Sequence, residues 1–388
     1  MDLRDTPAEA EFREKLRSWL NEHNPGPLPA EHGEHREALL KWHRTLYAAG
    51  WVGLSWPAEY GGQGLGPMEE AILQQELGRA GAPEPPAIGF IGRAIMAYGT
   101  EAQKTKYLPG LLRSEHVWCQ GFSEPDAGSD LASLRTTATQ EGDYFRVSGT
   151  KIWTSRARYA DYCFLLARTG RDLPRHRGIS ALIVDMRTAG IEVRPIVEAT
   201  GNDHHFTQVF FDDVLVPAEN LVGAVNEGWS VATQLLSYER GPAELGLQAG
   251  YATLYKRLIE EVKRRGLESD AEIRRSCARP AVALEVLRLR TLRALTERKH
   301  GVKPGPEVSV DKVLMAGVDQ LLLHTAQMAL GTELSLFDEE WFNRYLHSRA
   351  ATIYGGTAQI QRNVLAERVL GLPRSRDGGA KRDGVQSH

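Results

Sequence analysis

Apolar residues near the start of the chain recur with helical spacing. Phe12, Leu16, Trp19 and Leu20 fall at i, i+4, i+7 and i+8, which predicts one amphipathic helix, ended by Asn24-Pro25-Gly26-Pro27. Leu39–Ala49 predicts a second helix with Leu39, Leu40, Leu46 and Tyr47 inward. Gly50–Gly64, glycine-rich and carrying Trp51, Trp56, Pro57 and Tyr60, reads as a long packed loop. Met68–Arg79 is helical again and stops at the proline-rich run from Ala82 to Pro86; Thr100 then suits the N-cap of a further helix. From about Val117 the pattern changes to short alternating runs, among them 144–147, 162–166, 180–184 and 208–211, divided by Gly, Pro and Asp turns. These are strands. Past Glu227 helical spacing returns, over Trp229–Glu260, Asp270–His300, Ser309–Leu330 and Thr357–Leu370. The expected organisation is α+β and multidomain: an N-terminal α-helical domain over 1–116, a central β-barrel or sandwich over 117–224, and a C-terminal four-helix bundle over 225–372. The remaining 373–388 alternates basic, acidic and glycine residues and is expected to be disordered.

Composition narrows the function. A chain of 388 residues exceeds one core, and 42% apolar residues can fill two or three. A net charge of −3 gives no reason to expect nucleic acid or an anionic membrane as partner. Cys119, Cys163 and Cys277 form no CxxC pair and read as reduced thiols, and the twelve histidines show no metal-ligand spacing, so no metal is expected. The charged first twenty residues do not resemble a signal peptide, and no apolar run of about 18 residues stands out. A soluble, cytoplasmic protein is expected.

The chemistry concentrates in Gln120–Asp130, which holds two glycines, one proline, two serines and three carboxylates. That is loop composition. Gly128-Ser129 can bring bare N–H groups and a hydroxyl close to a ligand. Lys151-Ile152-Trp153-Thr154-Ser155 follows, placing an indole face next to hydroxyls in a strand region. Each piece alone is an ordinary turn or a core tryptophan. Together, a polar donor loop and an aromatic platform suit a large, flat, hydrogen-bonding cofactor.

GFSEPDAGSDLAS followed by KIWTS resembles the flavin-binding signature of the acyl-CoA dehydrogenases, and the resemblance runs over nearly the whole chain. Gly50–Gly64 is similar to the family's GW…EYGG stretch near the acyl pocket. The resemblance implies the acyl-CoA dehydrogenase fold, two helical regions forming a bundle with a β-domain inserted in sequence. It implies FAD as cofactor and α,β-dehydrogenation of an acyl-CoA thioester, in which an α-proton leaves and a β-hydride goes to flavin N5. Phe122 and Ser123 would then sit along the flavin's pyrimidine edge, Ser129 near phosphates and substrate, Trp153 against the isoalloxazine and Ser155 by N5. Thr357 and Gln359 match positions that contact the cofactor.

The base departs from the common pattern. Where most relatives have Tyr-Glu-Gly-Thr, this chain has Tyr354-Gly355-Gly356-Thr357. Gly355 cannot take a proton, although its N–H could serve the thioester oxygen. A second carboxylate place in the family, on the helix after the β-domain, is matched by Glu239 in Leu235-Leu236-Ser237-Tyr238-Glu239-Arg240, with Ser237 and Arg240 on the substrate side. The family's Arg-x-x-Phe-Gly and Gly-Gly-x-Gly runs, which reach the cofactor's ADP across a subunit interface, are replaced by Arg265–Asp270 and Leu330–Glu333. The resemblance therefore implies an oligomer, either of this chain alone or with a paralogous chain, and an electron-transfer flavoprotein as acceptor. Two other readings compete: a non-catalytic partner subunit, and an oxygen-using flavin oxidase or monooxygenase of the same fold.

Overall fold

A computed structural model describes residues 5–29, 32–83, 85, 89–201, 203, 205–238, 242–302, 305–337 and 339–373. The chain divides into two compact units, Arg4–Gly250 and the part from Tyr251 onward. Of the predicted tail over 373–388, all but Pro373 lies outside the described residues.

The first unit opens with five helices: α1 (Pro7–His23), α2 (His32–Ala48), α3 (Pro67–Ala80), α4 (Gly89–Tyr98) and α5 (Glu101–Leu112). α1 starts on a capping box between Thr6 and Glu9, and α5 on one between Thr100 and Gln103, the cap expected from sequence. Leu16, Leu20, Trp42, Leu46, Ile72 and Leu77 meet in one core with Trp51 and Trp56 from the 50–64 loop. That loop is packed to contact: a Cβ on Gly62 would lie 2.2 Å from the Trp56 carbonyl oxygen. α1 and α3 are also joined by charge. Glu76 is buried and takes bonds from Arg13, Arg17 and Arg79. Burial pushes its carboxyl up, but the three guanidinium groups outweigh this and hold it at about 2. α4, ten residues long and directly after the proline-rich run, escaped the sequence reading.

Eight strands follow: β1 (Trp118–Gly121), β2 (Thr137–Glu141), β3 (Tyr144–Lys151), β4 (Tyr162–Arg168), β5 (Ile179–Asp185), β6 (Ile191–Pro195), β7 (Thr207–Pro217) and β8 (Leu221–Val222). They form one sheet in the order β6-β7-β3-β2-β4-β5-β8, with β1 pairing parallel to β4. β4 and β5 are buried on both faces, as continuous apolar strands require. Phe164, Leu166 and Ile183 face the helical core. Cys163, Leu165, Leu182 and Val184 face a second core with Phe145 and Val147 of β3 and Val209, Phe211, Val214 and Val216 of β7. β3 and β5 are not neighbours in the sheet, so it curls around this interior. A bulge between Val147 and Gly149 re-aims the end of β3. Gly149 has φ +153° there, and a Cβ would lie 2.6 Å from the Thr136 Cα. The three cysteines are buried free thiols.

The helix expected over Trp229–Glu260 is two helices. α6 (Gly228–Tyr238) stops, and α7 (Pro242–Arg264) begins on a proline, which suits the first helical position. α7 continues into the second unit, with α8 (Ala271–Lys299), α9 (Ser309–Leu330), α10 (Thr332–Phe337), α11 (Glu339–Ser348) and α12 (Ala358–Val364), the last followed by a π-helical turn over Leu365–Val369. Leu254, Leu258, Ile273, Cys277, Leu322, Leu323, Ala326 and Trp341 form the core between α7, α8, α9 and α11. Contrary to the sequence expectation, Pro306–Leu330 is long and apolar enough to cross a membrane. Of its most apolar window 56% is buried inside the bundle, so it is the bundle's core helix.

Candidate active site

β1 and β3 end side by side at one edge of the first unit, and the two motif loops leave from there. The Ser123 carbonyl accepts from the Ile152 N–H at 2.9 Å, joining the loops. Beneath them runs Lys151, fully buried, with its ammonium donating to the Phe122 carbonyl at 3.0 Å and to Glu124 Oε1 at 2.8 Å. Gly121 lies against β4: a Cβ there would sit 2.8 Å from Cys163 Sγ and 2.9 Å from Leu165 Cδ1. Glu124 also accepts from the backbone N–H groups of Arg135 at 2.6 Å and Thr136 at 2.9 Å. Both ends of the loop carrying Ser129 are thereby closed on one carboxylate. Arg168 secures its far side by donating to the carbonyls of Ala132 and Leu134, and Arg175 reaches Asp130 at 2.8 Å. Burial raises the Glu124 carboxyl, but Lys151 and these bonds leave it below the ordinary range; burial likewise lowers the Lys151 ammonium against the pull of Glu124.

Trp153 is held in an unusual conformation. Its φ is +58°, a region that costs an L-residue about 1–2 kcal/mol. The backbone on either side is tied: Ile152 N–H to Ser123, and Thr154 N–H to the Thr207 carbonyl, with the Thr207 hydroxyl donating back to the Thr154 carbonyl. The indole is nevertheless 56% exposed and touches only the edge of Phe206, at 5.8 Å between ring centres among the ring contacts described. A strained backbone that presents an exposed flat ring marks a binding surface. Among the described residues, the N–H of Ser123 and the hydroxyls of Ser123, Ser129 and Ser155 are spent on no other group of the chain. Phe122, by contrast, is buried in the helical core 6.5 Å from Phe164, so only its backbone is placed to serve a ligand.

In the second unit, the loop over 349–357 is held from α9. Lys312, buried, donates to the Ala351 carbonyl at 2.9 Å and lies 4.1 Å over the Tyr354 ring. Gln320 donates to the Ser348 carbonyl at 3.1 Å. Gly355 has φ +61°, and a Cβ there would meet only Lys312, at 3.8 Å. Thr357 caps α12 by accepting from the Ile360 N–H at 3.1 Å, which leaves its hydroxyl proton free to donate, and Gln359 is exposed. Glu239 and Arg240 lie outside the described residues, as does the side chain of Ser237. The stretches that replace the ADP-reaching motifs are bonded to each other. Arg265 donates to Glu261 at 2.6 Å, to the Leu330 carbonyl at 3.3 Å and to Glu333 at 2.6 Å. Glu124, Lys151, Lys312 and Arg265 were given no role from sequence. Lys151 ends β3 after Ser148-Gly149-Thr150, and nothing in that spacing marks it as buried.

Three family models match the chain in order: the acyl-CoA dehydrogenase N-terminal domain over residues 6–115, the middle domain over 119–214 and the C-terminal domain over 226–370. The chain belongs to the acyl-CoA dehydrogenase family. It is 39% identical over 383 residues to acyl-CoA dehydrogenase IpdE1 of Mycobacterium tuberculosis (strain ATCC 25618 / H37Rv), covering 95% of this chain and 99% of that protein. Among solved structures it is similar to the Tcur3481-Tcur3483 steroid ACAD, with a TM-score of 0.85, 32% identity and coverage of 97% of this chain and 100% of that one. The ChsE4-ChsE5 complex from Mycobacterium tuberculosis matches with a TM-score of 0.83, 32% identity and the same coverage. As an acyl-CoA dehydrogenase the protein is an FAD-dependent oxidoreductase. The site fits that cofactor: an exposed indole for the ring system, an unspent N–H and hydroxyl at Ser123 for a polar edge, and an open Gly128-Ser129 loop for phosphate.

Proposed function

We propose that the chain dehydrogenates an acyl-CoA thioester at the α,β position with Glu239 as base. The observation that carries this is Gly355, a glycine with φ +61° where the common family carboxylate would stand, and among the described residues a Cβ there would meet only Lys312. A thioester α C–H is too weak an acid for a free carboxylate, so the developing enolate must be stabilised. The Gly355 N–H, for which the described residues supply no acceptor, would donate to the thioester oxygen. Glu239 takes the α-proton onto its carboxylate. Bound FAD supplies the hydride acceptor for the β-carbon. Trp153 backs the flavin ring, Ser155 and Ser123 donate to its polar edge, and Ser237 and Arg240 orient the thioester and its CoA arm. Two solved relatives are named as pairs of chains, and Arg265 is already consumed within this one. Both support assembly with a paralogous chain that completes the ADP half of the cofactor site. The steroid name of one relative supports a bulky, ring-bearing acyl group. Electrons then pass to an electron-transfer flavoprotein.

The test is anaerobic bleaching of the bound flavin by a panel of acyl-CoA thioesters. Glu239→Gln keeps the shape but cannot accept a proton, and should slow bleaching by at least about 10²–10⁴-fold while flavin stays bound. Bleaching at the parental rate would place the base elsewhere. Ring-bearing thioesters should bleach faster than straight chains, and reoxidation by oxygen as fast as by an electron-transfer flavoprotein would favour the oxidase reading. A chain that sediments as a monomer, and holds FAD fully without any partner, would overturn the assembly.

A further inference from the structure

We propose that Lys151, paired with Glu124, is a positioning residue of the flavin site that acts through the Phe122–Ser123 peptide. The inference rests on the reading that the Ser123 N–H serves the flavin's pyrimidine edge. Lys151 Nζ sits 3.0 Å from the Phe122 carbonyl oxygen, and that carbonyl belongs to the same peptide group as the Ser123 N–H. A cation on the oxygen of an amide withdraws electrons from its nitrogen and makes the N–H a stronger donor, and a buried, low-dielectric setting strengthens the effect. The charge is delivered without exposure: Lys151 has 0% and Glu124 7% of its surface accessible. The same pair holds both halves of the site. Glu124 closes the Ser129 loop through Arg135 and Thr136, and Lys151 is followed directly by Ile152, bonded to Ser123, and by Trp153.

A purely structural clasp and a polarising one differ in what they do to the reduced flavin. Two-electron reduction adds electron density to the pyrimidine edge, so a stronger Ser123 donor favours the reduced form and raises the potential. Lys151→Met alone strands a buried carboxylate and can fail to fold. The deciding protein is Glu124→Gln/Lys151→Met, in which the pair is neutral and its shape kept. Its FAD-loaded form should show a lower two-electron potential, by about 30 mV, which is a tenfold loss of preference for reduced over oxidised flavin. Glu124→Gln alone removes the carboxylate that keeps the buried ammonium charged; it should unfold earlier on heating, with its potential falling toward that of the double variant. An unchanged potential in the double variant overturns the inference. Parental protein that takes up no FAD, alone or with a partner chain, instead sinks the flavin-site reading itself.

Discussion

Lys151 in the first unit ends on a carboxylate and a carbonyl; Lys312 in the second ends on a carbonyl and the face of an aromatic ring. Both are buried, and both fix a loop that carries candidate site residues. Around Lys151 the polar groups form a closed set, with Glu124 taking two backbone N–H groups as well as the ammonium. Around Lys312 the set includes a carboxyl open to titration. Its neighbour Asp319 is buried on the same helix, and burial raises its carboxyl to about 6 although Arg349, Arg344 and Lys312 pull the other way. The flavin-side loop is thus built to be rigid whatever binds. The Tyr354–Gly356 loop keeps exposed apolar side chains, Ile353 and Tyr354, and two glycines with positive φ.

The largest effect should come from breaking the closed set. Lys151→Met leaves Glu124 buried without its cation, which typically costs about 3–5 kcal/mol. Denaturant unfolding followed by tryptophan fluorescence should show that loss. A change below about 1 kcal/mol would mean that the pair does not hold the two loops together.

The open set should respond to pH in the opposite sense. A carboxyl raised from 3.8 to about 6 in the folded protein favours folding while protonated. That contribution is fully present below pH 3.8 and is lost as pH rises through 6. Asp319→Asn stays neutral, so it should be more stable than the parent at pH 7, by roughly 2–3 kcal/mol at most, with the gap closing toward pH 4. Equal stabilities at both pH values would show that the Asp319 charge is compensated. Glu76 is the internal control, because its carboxyl is held at about 2: its contribution is complete above pH 4.5 and disappears only as pH falls toward 2.

The smallest effect should be Lys312→Met. Among the described contacts it removes the bond to the Ala351 carbonyl and the cation–ring contact with Tyr354, about 1–2 kcal/mol together. Limited proteolysis within 349–357 should rise more than global stability falls. If the variant matches Lys151→Met in cost, the contrast between the two lysines fails.

Much of this was legible in the chain itself. Helical spacing located α1, α3, α8 and α9, the Thr100 cap was read directly, and period-two runs marked the strands. These are local properties: a side chain's place on a helix or strand repeats with the backbone's own period. The two loop motifs were legible for the same reason, as glycine, serine and proline state their backbone preferences residue by residue. What only tertiary structure decided was where distant residues meet. No spacing announces that Lys151 reaches a carboxylate 27 positions earlier, that Arg265 is spent on Glu333, or that Lys312 lies over Tyr354. Nor does composition reveal that Trp153, a residue that ordinarily fills a core, is turned outward on a left-handed backbone. Burial and desolvation depend on which surfaces close over a charge. That is a property of the packed fold, and the order of residues along the chain does not carry it.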